Sequence, residues 1–592
     1  MAPSLPKNDN RKQELNQRQT DVQYDFTLIP PLPMFRNLRN FPNFKWLIKV
    51  AKITLQLQKN TTEFERRNPN FEGLVNSFQN NQQIINDNDN DTVKTNDRKT
   101  DEVNPVVSEM LRMLQVQRIS SPGNNLQDYN DIFTTIPLPR IFNNFFDNFL
   151  DKDEEFAWMR VAGPNPLVIK KFTTIDPQFP VTEAHYQSTI PGDSLANALS
   201  QGRLFITDYA VLANVNAGIT DGKQKYIYAP LALFALPPGS RELKPIAIQC
   251  GQDPATNPIV TPNSGTWAWR IAKTIVQVAD ANHHELISHL GLTHLLLEVF
   301  AMATERQLAK DHPLGILLRA HFEGTFFIND QAQKTLTGPG DPVDELLAGT
   351  YQASQQLSAN AIFGLNFDRN LLPNTFMNRG VDSLPDYPYR DDASKIWDAI
   401  HQWVSDYLSI YYTNDNDVLT DNELQSWLKE LLDPDFGNLK GIGEGGQIRT
   451  TGYLIKIITQ IIFTASAQHA AVNFPQATFM SYAPAMPLAG YAPIPDFTKV
   501  VESNYFDMLP PIKQAQGQLS LNFLLGSVYY TELGQYSTLD RENSAITDAL
   551  RKFKQKLMKI EGEIVQANGD RRNRRKPYEF LIPSKIPQSV NI

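Results

Sequence analysis

The chain has 592 residues, 41% of them hydrophobic, and its 64 acidic side chains outnumber 55 basic ones to give a formal net charge of −9. A chain of this length can bury a large core, and its acidic balance argues against a nucleic-acid partner, which usually meets a basic domain. The single cysteine, Cys250, excludes an intrachain disulfide framework and a cysteine-rich metal site.

Residues 1–30 are polar and lack the apolar segment of a secretory signal. No uninterrupted apolar run reaches the roughly eighteen residues that a membrane span needs. We therefore expect a cytoplasmic protein, without a signal peptide or a transmembrane segment, whose only membrane contact would be peripheral.

Residues 44–59 show a helical pattern with apolar residues on two sides and a narrow stripe of basic side chains between them. Lys45, Lys49, Lys52 and Lys59 form that stripe. One interpretation is a helix that packs against the body of the protein on both sides. The other is an interfacial helix, which dips one apolar face into lipid while its lysines meet anionic headgroups.

The remainder of the first 150 residues is polar and then aromatic. Residues 61–105 are polar, and the Asn/Asp tract at 86–91 lacks the glycine and the distal glutamate of an EF-hand loop, so we expect a polar loop there. Residues 106–114 and 132–150 show helical patterns, and no run of short alternating strands suggests a β-sandwich. We predict that residues 1–150 form a helical, partly disordered N-terminal extension.

Residues 151–592 are predicted to form one large domain, predominantly α with a small β subdomain. Strand-like runs occupy 175–188 and 204–249, with turns at Pro191-Gly192 and at Pro237–Gly239. Farther along, long segments have the 3.6-residue period of amphipathic helices. The predicted helices are Trp267–Ala281, His284–Lys310, Leu314–Phe322, Ala393–Tyr412, Leu454–Asn473 and Ala545–Gln566.

A histidine cluster is the strongest chemical signal in the chain. Five of the nine histidines fall between His284 and His321, and His284, His289 and His294 recur every five residues. A five-residue step turns an α-helix by about 500°, which leaves neighbours roughly 140° apart, so two of them can face one metal only where the helix is wound as a π-helix. Neutral imidazole is the commonest side-chain metal ligand. The alternative is a buried helix whose histidines bond to backbone groups.

A second pair of candidate ligands lies downstream. His469 and Asn473 are four residues apart, on one face of an ordinary α-helix. An asparagine oxygen is a weak ligand, which suits an iron site with a labile position better than a zinc site. The sequence ends in Ile592, and an α-carboxylate is anionic near neutral pH.

These residues carry a resemblance to a known family. The histidine spacing, the block Thr464–Phe474 and the final isoleucine together resemble the lipoxygenases, the non-haem iron dioxygenases of polyunsaturated fatty acids. Further similar segments are 156–166, 202–209, 267–280 and 389–397, so the likeness covers approximately residues 150 to 592. The resemblance implies an oxidoreductase with a large helical catalytic domain, similar to bacterial-type short forms that lack an N-terminal β-sandwich.

The same resemblance assigns roles within the site. It implies one iron that cycles between Fe2+ and Fe3+. The ligand geometry alone would also admit manganese, which is the weaker alternative. The implied metal ligands are His289, His294, His469, Asn473 and Ile592. The residues expected to support the site without binding iron are His284, Glu285, His312, His321 and Gln476.

The resemblance also implies the reaction. A ferric hydroxide would take a hydrogen atom from a bis-allylic carbon of a linoleate- or linolenate-type fatty acid. Molecular oxygen would then add stereospecifically to the resulting radical, and the peroxyl radical would recover the hydrogen atom to become a hydroperoxide. Because this chemistry needs no side-chain acid, base or nucleophile, we expect no catalytic residue beyond the metal centre.

Four residues are expected in the substrate and oxygen pocket, each with plain core packing as its alternative. Ala332 stands where alanine accompanies S products and glycine R products in the family, and Leu336 matches a leucine that shapes the approach of oxygen. Leu346 and Leu347 are expected in the pocket wall. Met486 stands where plant-type members carry an arginine, which favours methyl-end-first binding or an esterified substrate.

Two other functions fit the same residues. An iron site with poor access for oxygen can isomerise hydroperoxides instead of forming them. A protein of this fold could also bind lipid or membrane without catalysis, although five convergent ligands have no physical role in an inactive protein.

Overall fold

The computed structural model describes residues 5, 11–27, 29–35, 44–67, 123–142, 149–528, 531–537, 539, 543–573, 577–590 and 592. The predicted loop at 86–91, the predicted helix at 106–114 and residues 143–148 of the aromatic segment lie outside these residues. In the described part of that segment the helical pattern is wrong, because residues 132–142 form turns and irregular chain and Phe149–Asp151 a single 3-10 turn. The described part of the chain is predominantly helical with a small sheet, which confirms the predicted fold class.

Helices make up most of the described chain. The α-helices are Lys12–Asp21, Phe44–Arg67, Leu126–Asn130, Asp153–Ala162, Glu183–Gln187, Leu195–Ser200, Thr266–His283, Leu296–Gln307, Pro313–Arg319, Thr325–Thr335, Pro342–Leu346, Tyr351–Phe363, Leu372–Asn378, Pro388–Leu408, Asp415–Leu419, Asn422–Leu432, Thr451–Phe463, His469–Asn473, Glu502–Met508, Ile512–Leu525 and Ser544–Asn573. The π-helices are His284–Leu295, Thr464–Gln468 and Gln476–Met480. Short 3-10 turns are Phe149–Asp151, Ala210–Leu212, Pro262–Ser264, Asp368–Asn370 and Pro583–Lys585.

A continuous helical run from Thr266 to Gln307 passes through the centre of the protein. Its 42 residues are long and apolar enough to cross a membrane, but 89% of the apolar window is buried inside the fold. Burial against other protein elements is the environment of a core helix, and a single helix of this kind is weak evidence for a membrane span.

The sheet is antiparallel and five-stranded. Its strands, in spatial order, are Lys170–Lys171, Leu204–Asp208, Leu231–Ala235, Lys244–Gln249 and Ile259–Val260. Leu204 pairs with Ala235 and Leu231 with Gln249, with a bulge between Leu233 and Phe234. The predicted turns at Pro191-Gly192 and Pro237–Gly239 are present, with φ of 87° at Gly192 and 73° at Gly239, a region that favours glycine.

One predicted strand region is wrong. Residues 175–188 contain a single isolated bridge and then the helix Glu183–Gln187. Thr182 begins this helix because its hydroxyl accepts a hydrogen bond from the backbone N–H of His185, while its own N–H donates to the His185 ring. Such a capping box favours a helix over a strand.

The N-terminal helix Phe44–Arg67 packs mainly on one face. Val50, Leu57 and Phe64 are buried in the same hydrophobic core as the rest of the protein. Ile48 and Leu55, on the other apolar face, remain 38% and 40% exposed. Ala51, on the same face as Ile48 and Leu55, is half-buried against this core, so the helix packs mainly through the face with Val50 and Leu57.

Candidate metal centre

The histidine cluster lies on a π-helix. Residues His284–Leu295 are wound with the π geometry between the α-helices Thr266–His283 and Leu296–Gln307. A π turn brings residues five apart close together, and the rings of His289 and His294 have centroids 4.8 Å apart. The π winding predicted from the five-residue spacing is confirmed.

The second pair of candidate ligands lies on a short α-helix, His469–Asn473, as predicted. π-helical segments stand before it, at Thr464–Gln468, and after it, at Gln476–Met480. These two π segments were not predicted, because no repeated ligand spacing marks them in the sequence.

The two elements bring three imidazoles to one point. The Nε2 atoms lie 3.1 Å apart for His289 and His294, 3.2 Å for His294 and His469, and 3.4 Å for His289 and His469. Metal–nitrogen bonds of about 2.1 Å at right angles would place neighbouring nitrogens about 3.0 Å apart. The triangle therefore fits a single metal ion with three nitrogen ligands, and all three residues are buried.

Contacts at the opposite ring nitrogens orient two of these histidines. Nδ1 of His294 lies 3.0 Å from Oδ1 of Asn329, an acceptor, so we assign the ring proton to Nδ1. Nδ1 of His289 lies 3.6 Å from the carboxylate of Glu285. With protons on Nδ1, the Nε2 lone pairs of His294 and His289 point towards the centre of the triangle.

Burial keeps the three imidazoles neutral. It lowers the pKa of His294 to about 3, with the neighbouring His289 contributing in the same direction. Burial likewise lowers the pKa of His289 and, more strongly, that of His469, where a hydrogen bond with the main chain of Ile592 opposes the shift in part. Neutral nitrogens are available as ligands at pH 7 without first losing a proton.

The carboxylate of Glu285 stays ionised beside this cluster. Burial by itself raises its pKa, but the neighbouring His284 and His289 imidazoles more than compensate and bring the pKa to about 2. His284 itself lies with Nε2 2.7 Å from the carbonyl oxygen of Val472, so it ties the π-helix to the helix His469–Asn473.

Asn473 is fully buried one turn after His469. Its Nδ2 donates to the carbonyl of Leu525 at 2.8 Å, and its Oδ1 accepts a hydrogen bond of 2.9 Å from Gln476. These two contacts fix the orientation of the amide, as expected for a residue that presents a weak oxygen ligand.

The C-terminal segment reaches the same region. Ile592 is 4% exposed and shares a cavity wall with His289 and His294. Nδ1 of His321 lies 2.7 Å from the carbonyl oxygen of Gln588, and Ser589 donates to the Glu323 carbonyl. His321 thus binds the C-terminal segment four residues before Ile592.

His312 supports a different part of the molecule. Its Nε2 lies 3.0 Å from Oδ2 of Asp421, which also accepts a hydrogen bond from Tyr412, and His312 and Asp421 are buried. This contact joins the start of the helix Pro313–Arg319 to the start of the helix Asn422–Leu432.

A mainly apolar cavity, which we call the metal-side cavity, adjoins the histidines. His289, His294 and Ile592 line it together with the predicted residues Ala332, Leu336 and Leu347. Its volume of about 80 Å³ is below the range of about 300–1,000 Å³ for ligand pockets, so its walls must part to admit a long chain. Leu346 is buried but is not among the residues that line this cavity.

Sequence comparison decides the family. The sequence model described as Lipoxygenase matches residues 47–583. The chain belongs to the lipoxygenase family. Members are iron-dependent oxidoreductases that dioxygenate polyunsaturated fatty acids, and a buried group of three histidines that could hold a metal agrees with this.

Individual lipoxygenases are similar over most of their length. The linoleate 9/13-lipoxygenase of Pseudomonas aeruginosa is 37% identical over 649 aligned positions, which cover 100% of this chain and 93% of that relative. Hydroperoxide isomerase ALOXE3 of Homo sapiens is 34% identical over 447 positions, 74% of this chain and 62% of that relative. The anaerobic crystal structure of Delta413-417:GS LOX in complex with arachidonate superposes with a TM-score of 0.84 at 26% identity, covering 100% of this chain and 84% of that one.

Sequence reasoning missed several residues of this lipoxygenase site. Ile328 lines the metal-side cavity and lies four residues before Ala332, so the helical period could have revealed it. Leu521 and Leu525, from a distant helix, also line the cavity without a local signal in the sequence. The same holds for Asn329, whose partner His294 is 35 residues away.

Proposed function

We propose that this protein is a lipoxygenase that dioxygenates linoleate- or linolenate-type fatty acids to hydroperoxides stereospecifically. The observation that carries the proposal is the triangle of neutral Nε2 atoms from His289, His294 and His469 beside an apolar cavity. An apolar pocket next to a buried metal is the arrangement that suits oxidation of a hydrocarbon chain.

The proposed cofactor is one iron. His289, His294 and His469 would hold it through Nε2, with Asn473 through Oδ1 and Ile592 through its main-chain carboxylate. Bound there, iron would supply one-electron oxidation, which the ligands and the burial of the site tune. Manganese is the weaker alternative, because oxygen ligands also suit that metal.

The side chains around the site position both the ligands and the substrate. Glu285 and Asn329 fix the rings of His289 and His294, and Gln476 fixes the amide of Asn473. Burial of the cavity excludes water, which would otherwise compete with a hydrocarbon for the space. Leu336 in the cavity wall would direct oxygen to one face of the substrate.

The cavity wall also bears on substrate orientation. The residues that line the metal-side cavity include one charged side chain, Glu285, and neither lysine nor arginine. A fatty-acid carboxylate would find no counter-ion there, and burying an unpaired charge is costly. Met486, which stands where plant-type members carry an arginine, is buried in the core. We infer that the methyl end of the substrate enters first, or that the substrate is an ester.

The experiment that tests the function is metal content measured beside oxygen uptake with linoleic acid, on protein without a C-terminal tag. We expect about one iron per chain and uptake accompanied by a conjugated-diene absorbance. His294→Ala should lose both, while His401→Ala, on the helix Pro388–Leu408, should keep both. Wild-type protein without any metal would overturn the proposed ligand set.

Two alternative functions predict different readouts. A hydroperoxide isomerase, as the similarity to ALOXE3 suggests, would hold iron and consume added hydroperoxide without oxygen uptake. A non-catalytic lipid-binding protein would neither hold iron nor consume hydroperoxide. His294→Ala would then have the same iron content and the same oxygen uptake as the wild type.

We also propose a peripheral membrane contact through the helix Phe44–Arg67. In this proposal residues 1–150 are an extension that carries the contact helix, and residues 151–592 form the catalytic domain. Ile48 and Leu55 are exposed, and so are Lys49, Lys52 and Lys59. Exposed apolar side chains beside lysines suit an anionic bilayer surface.

Liposome binding tests this contact in the full chain. Ile48→Gln with Leu55→Gln should weaken sedimentation with anionic vesicles, because two apolar side chains no longer enter lipid. Val211→Gln with Ile219→Gln removes two apolar side chains elsewhere that are even more exposed, at 50% and 65%, and serves as the control. Equal binding of the two double variants would refute the contact.

A further inference from the structure

A second cavity lies on the opposite side of the π-helix from the metal-side cavity. We call it the rear cavity. Ile287, Ser288 and Leu292 line it, whereas Leu286 and His289 line the metal-side cavity. The two cavities therefore contact different faces of the same helix, and none of the five proposed metal ligands lines the rear one.

The rear cavity has the size of a ligand pocket. Its volume is about 380 Å³, which falls within the range of about 300–1,000 Å³ that small-molecule sites occupy. Leu365, Phe367 and Leu372 extend its apolar wall beyond the π-helix. This wall can bury a hydrocarbon chain, since removing apolar surface from water is favourable.

The charged side chains that line the rear cavity are basic. Arg369 and Arg379 line it, and no aspartate or glutamate is among its lining residues. Nη1 of Arg379 donates to the carbonyl of Ile169 at 2.9 Å, while its buried Nη2 has no hydrogen-bond partner. Arg369 is exposed. Within the described part of the chain, it donates a hydrogen bond from its backbone N–H rather than from its side chain. A buried guanidinium N–H without a partner is costly unless an acceptor reaches it.

We propose that the rear cavity binds a fatty carboxylate, separately from the site of oxidation. The carboxylate pairs with Arg369 and Arg379, and the chain lies against Ile287, Leu292 and Phe367. Charge complementarity selects the carboxylate, because the cavity offers two guanidinium groups and no competing anion. This proposal goes beyond the proposed oxygenation, which needs only the metal-side cavity.

The rear cavity lies directly behind the residues that carry the proposed metal ligands. Ser288 precedes His289 in the chain, and Gln468 precedes His469, and both line the rear cavity. Gln468 is held by a hydrogen bond of 2.6 Å from the hydroxyl of Tyr389, another lining residue. A bound chain thus contacts, from the side away from the metal-side cavity, the π-helix that carries His289 and His294 and the π segment that ends just before His469.

The test is the stoichiometry of oleate binding to the metal-loaded full chain, measured by titration calorimetry. Oleate has one double bond and no bis-allylic carbon, so it binds without reacting. We expect two oleates per wild-type chain. Leu347→Trp, which fills the metal-side cavity, and Thr375→Trp, which fills the rear cavity, should each leave one.

Charge variants keep the test valid if the tryptophan variants fold poorly. Arg369→Glu, at an exposed position, should weaken the second site at least about tenfold, which corresponds to the loss of one favourable charge pair. Arg449→Glu makes the same change outside the cavity and should leave both sites intact.

Methyl oleate, which lacks the carboxylate, should bind once. Replacing oleate by a hydroxy-octadecadienoate then shows whether the site prefers a substrate-like or a product-like chain.

Either of two results would overturn the assignment. One is a single oleate per wild-type chain that disappears in Leu347→Trp. The other is a second oleate whose affinity is the same in Thr375→Trp, Arg369→Glu and the wild type. Because oleate binding is measured without oxygen consumption, these results are independent of whether the protein proves to be a dioxygenase.

Discussion

Oδ1 of Asn329 lies 3.0 Å from Nδ1 of His294, on the side of the imidazole that faces away from the metal-binding triangle. Nδ2 of Asn329 donates to the buried carboxyl of Glu298 at 2.7 Å and to the carbonyl of His294 at 3.1 Å. Glu298 also accepts the backbone N–H of Phe35. One asparagine therefore links a proposed ligand to the π-helix backbone, to a neighbouring helix and to the N-terminal segment.

Asn329→Leu should weaken metal binding. The leucine has a similar size but cannot accept the Nδ1 proton, so the ring of His294 loses its orientation. Loss of such an outer hydrogen bond typically costs about 10–100-fold in metal affinity or activity. Iron retained against a chelator, followed beside oxygen uptake, measures this. Asn263→Leu, at an exposed position, is the control, and equal iron retention in both variants would contradict the role of Asn329.

Gly291→Val should destabilise the π-helix. A Cβ at Gly291 would lie 3.1 Å from the Leu286 carbonyl oxygen, 3.2 Å from the Ser358 carbonyl oxygen and 3.3 Å from Cβ of Ala361. Overpacking of this kind typically costs about 1–3 kcal/mol. The apparent Tm should fall, with loss of iron.

Gly562→Val is the matched control for that crowding. It lies in the long helix Ser544–Asn573, and a Cβ there meets nothing within 4 Å. This variant should unfold at or slightly above the wild-type temperature, because valine is the better helix former of the two. If the Tm of Gly291→Val were as high as that of Gly562→Val, the π-helix would have room for a side chain at position 291.

His321 should make the protein sensitive to acid. Burial lowers its pKa from an ordinary 6.5 to about 4 in the folded state, partly offset by the hydrogen bond with the Gln588 carbonyl. Between pH 6.5 and 4 the unfolded chain binds the additional proton, so the stability contribution of His321 is present above 6.5 and is lost as the pH falls. The full contribution is on the order of 3 kcal/mol.

The variant His321→Gln should reduce this acid sensitivity, since glutamine does not titrate and can still donate to the Gln588 carbonyl. The apparent Tm of the wild type should fall further between pH 7.5 and pH 5 than that of His321→Gln. His401→Gln serves as the control and should follow the wild type. Parallel curves for wild type and His321→Gln would mean that His321 protonates without cost in the folded state.

Extending the chain beyond Ile592 should abolish oxygen uptake. Added residues convert the proposed carboxylate ligand into a peptide carbonyl, and the buried tail offers no room, since Val590 and Ile592 are 0% and 4% exposed. We expect iron content and uptake to fall at least about tenfold. The same residues added before Met1 are the control. Full activity with a C-terminal extension would exclude Ile592 as a ligand.

Ala332→Gly should shift the product from the S towards the R hydroperoxide. Ala332 lines the metal-side cavity beside Leu336, so removing its methyl group opens space for oxygen at another position of the pentadienyl radical. Chiral chromatography of the reduced products measures the ratio. Gln333→Gly, on the same helix but outside this cavity, controls for the loss of helix propensity. An unchanged S to R ratio would show that Ala332 does not control the face of oxygenation.

Elements with a local cause could be predicted from the order of residues alone. A five-residue histidine repeat requires a π turn to bring ligands together, and His469 and Asn473 require an α turn; both are present. These features depend on backbone hydrogen bonds between near neighbours in the chain, so spacing is sufficient to predict them. The strand predicted at 175–188 was wrong because the cap at Thr182 outweighed the apolar pattern.

The groups that surround the site come from distant segments and depend on how the helices pack. Asn329 reaches His294 because the helix Thr325–Thr335 packs against the π-helix, and the rear cavity exists because the helices around the π segment leave a gap. The N-terminal helix has two apolar faces in sequence, yet it packs mainly through the face with Val50 and Leu57. Packing between distant segments depends on the shape of every side chain involved, and no periodicity within one segment encodes it.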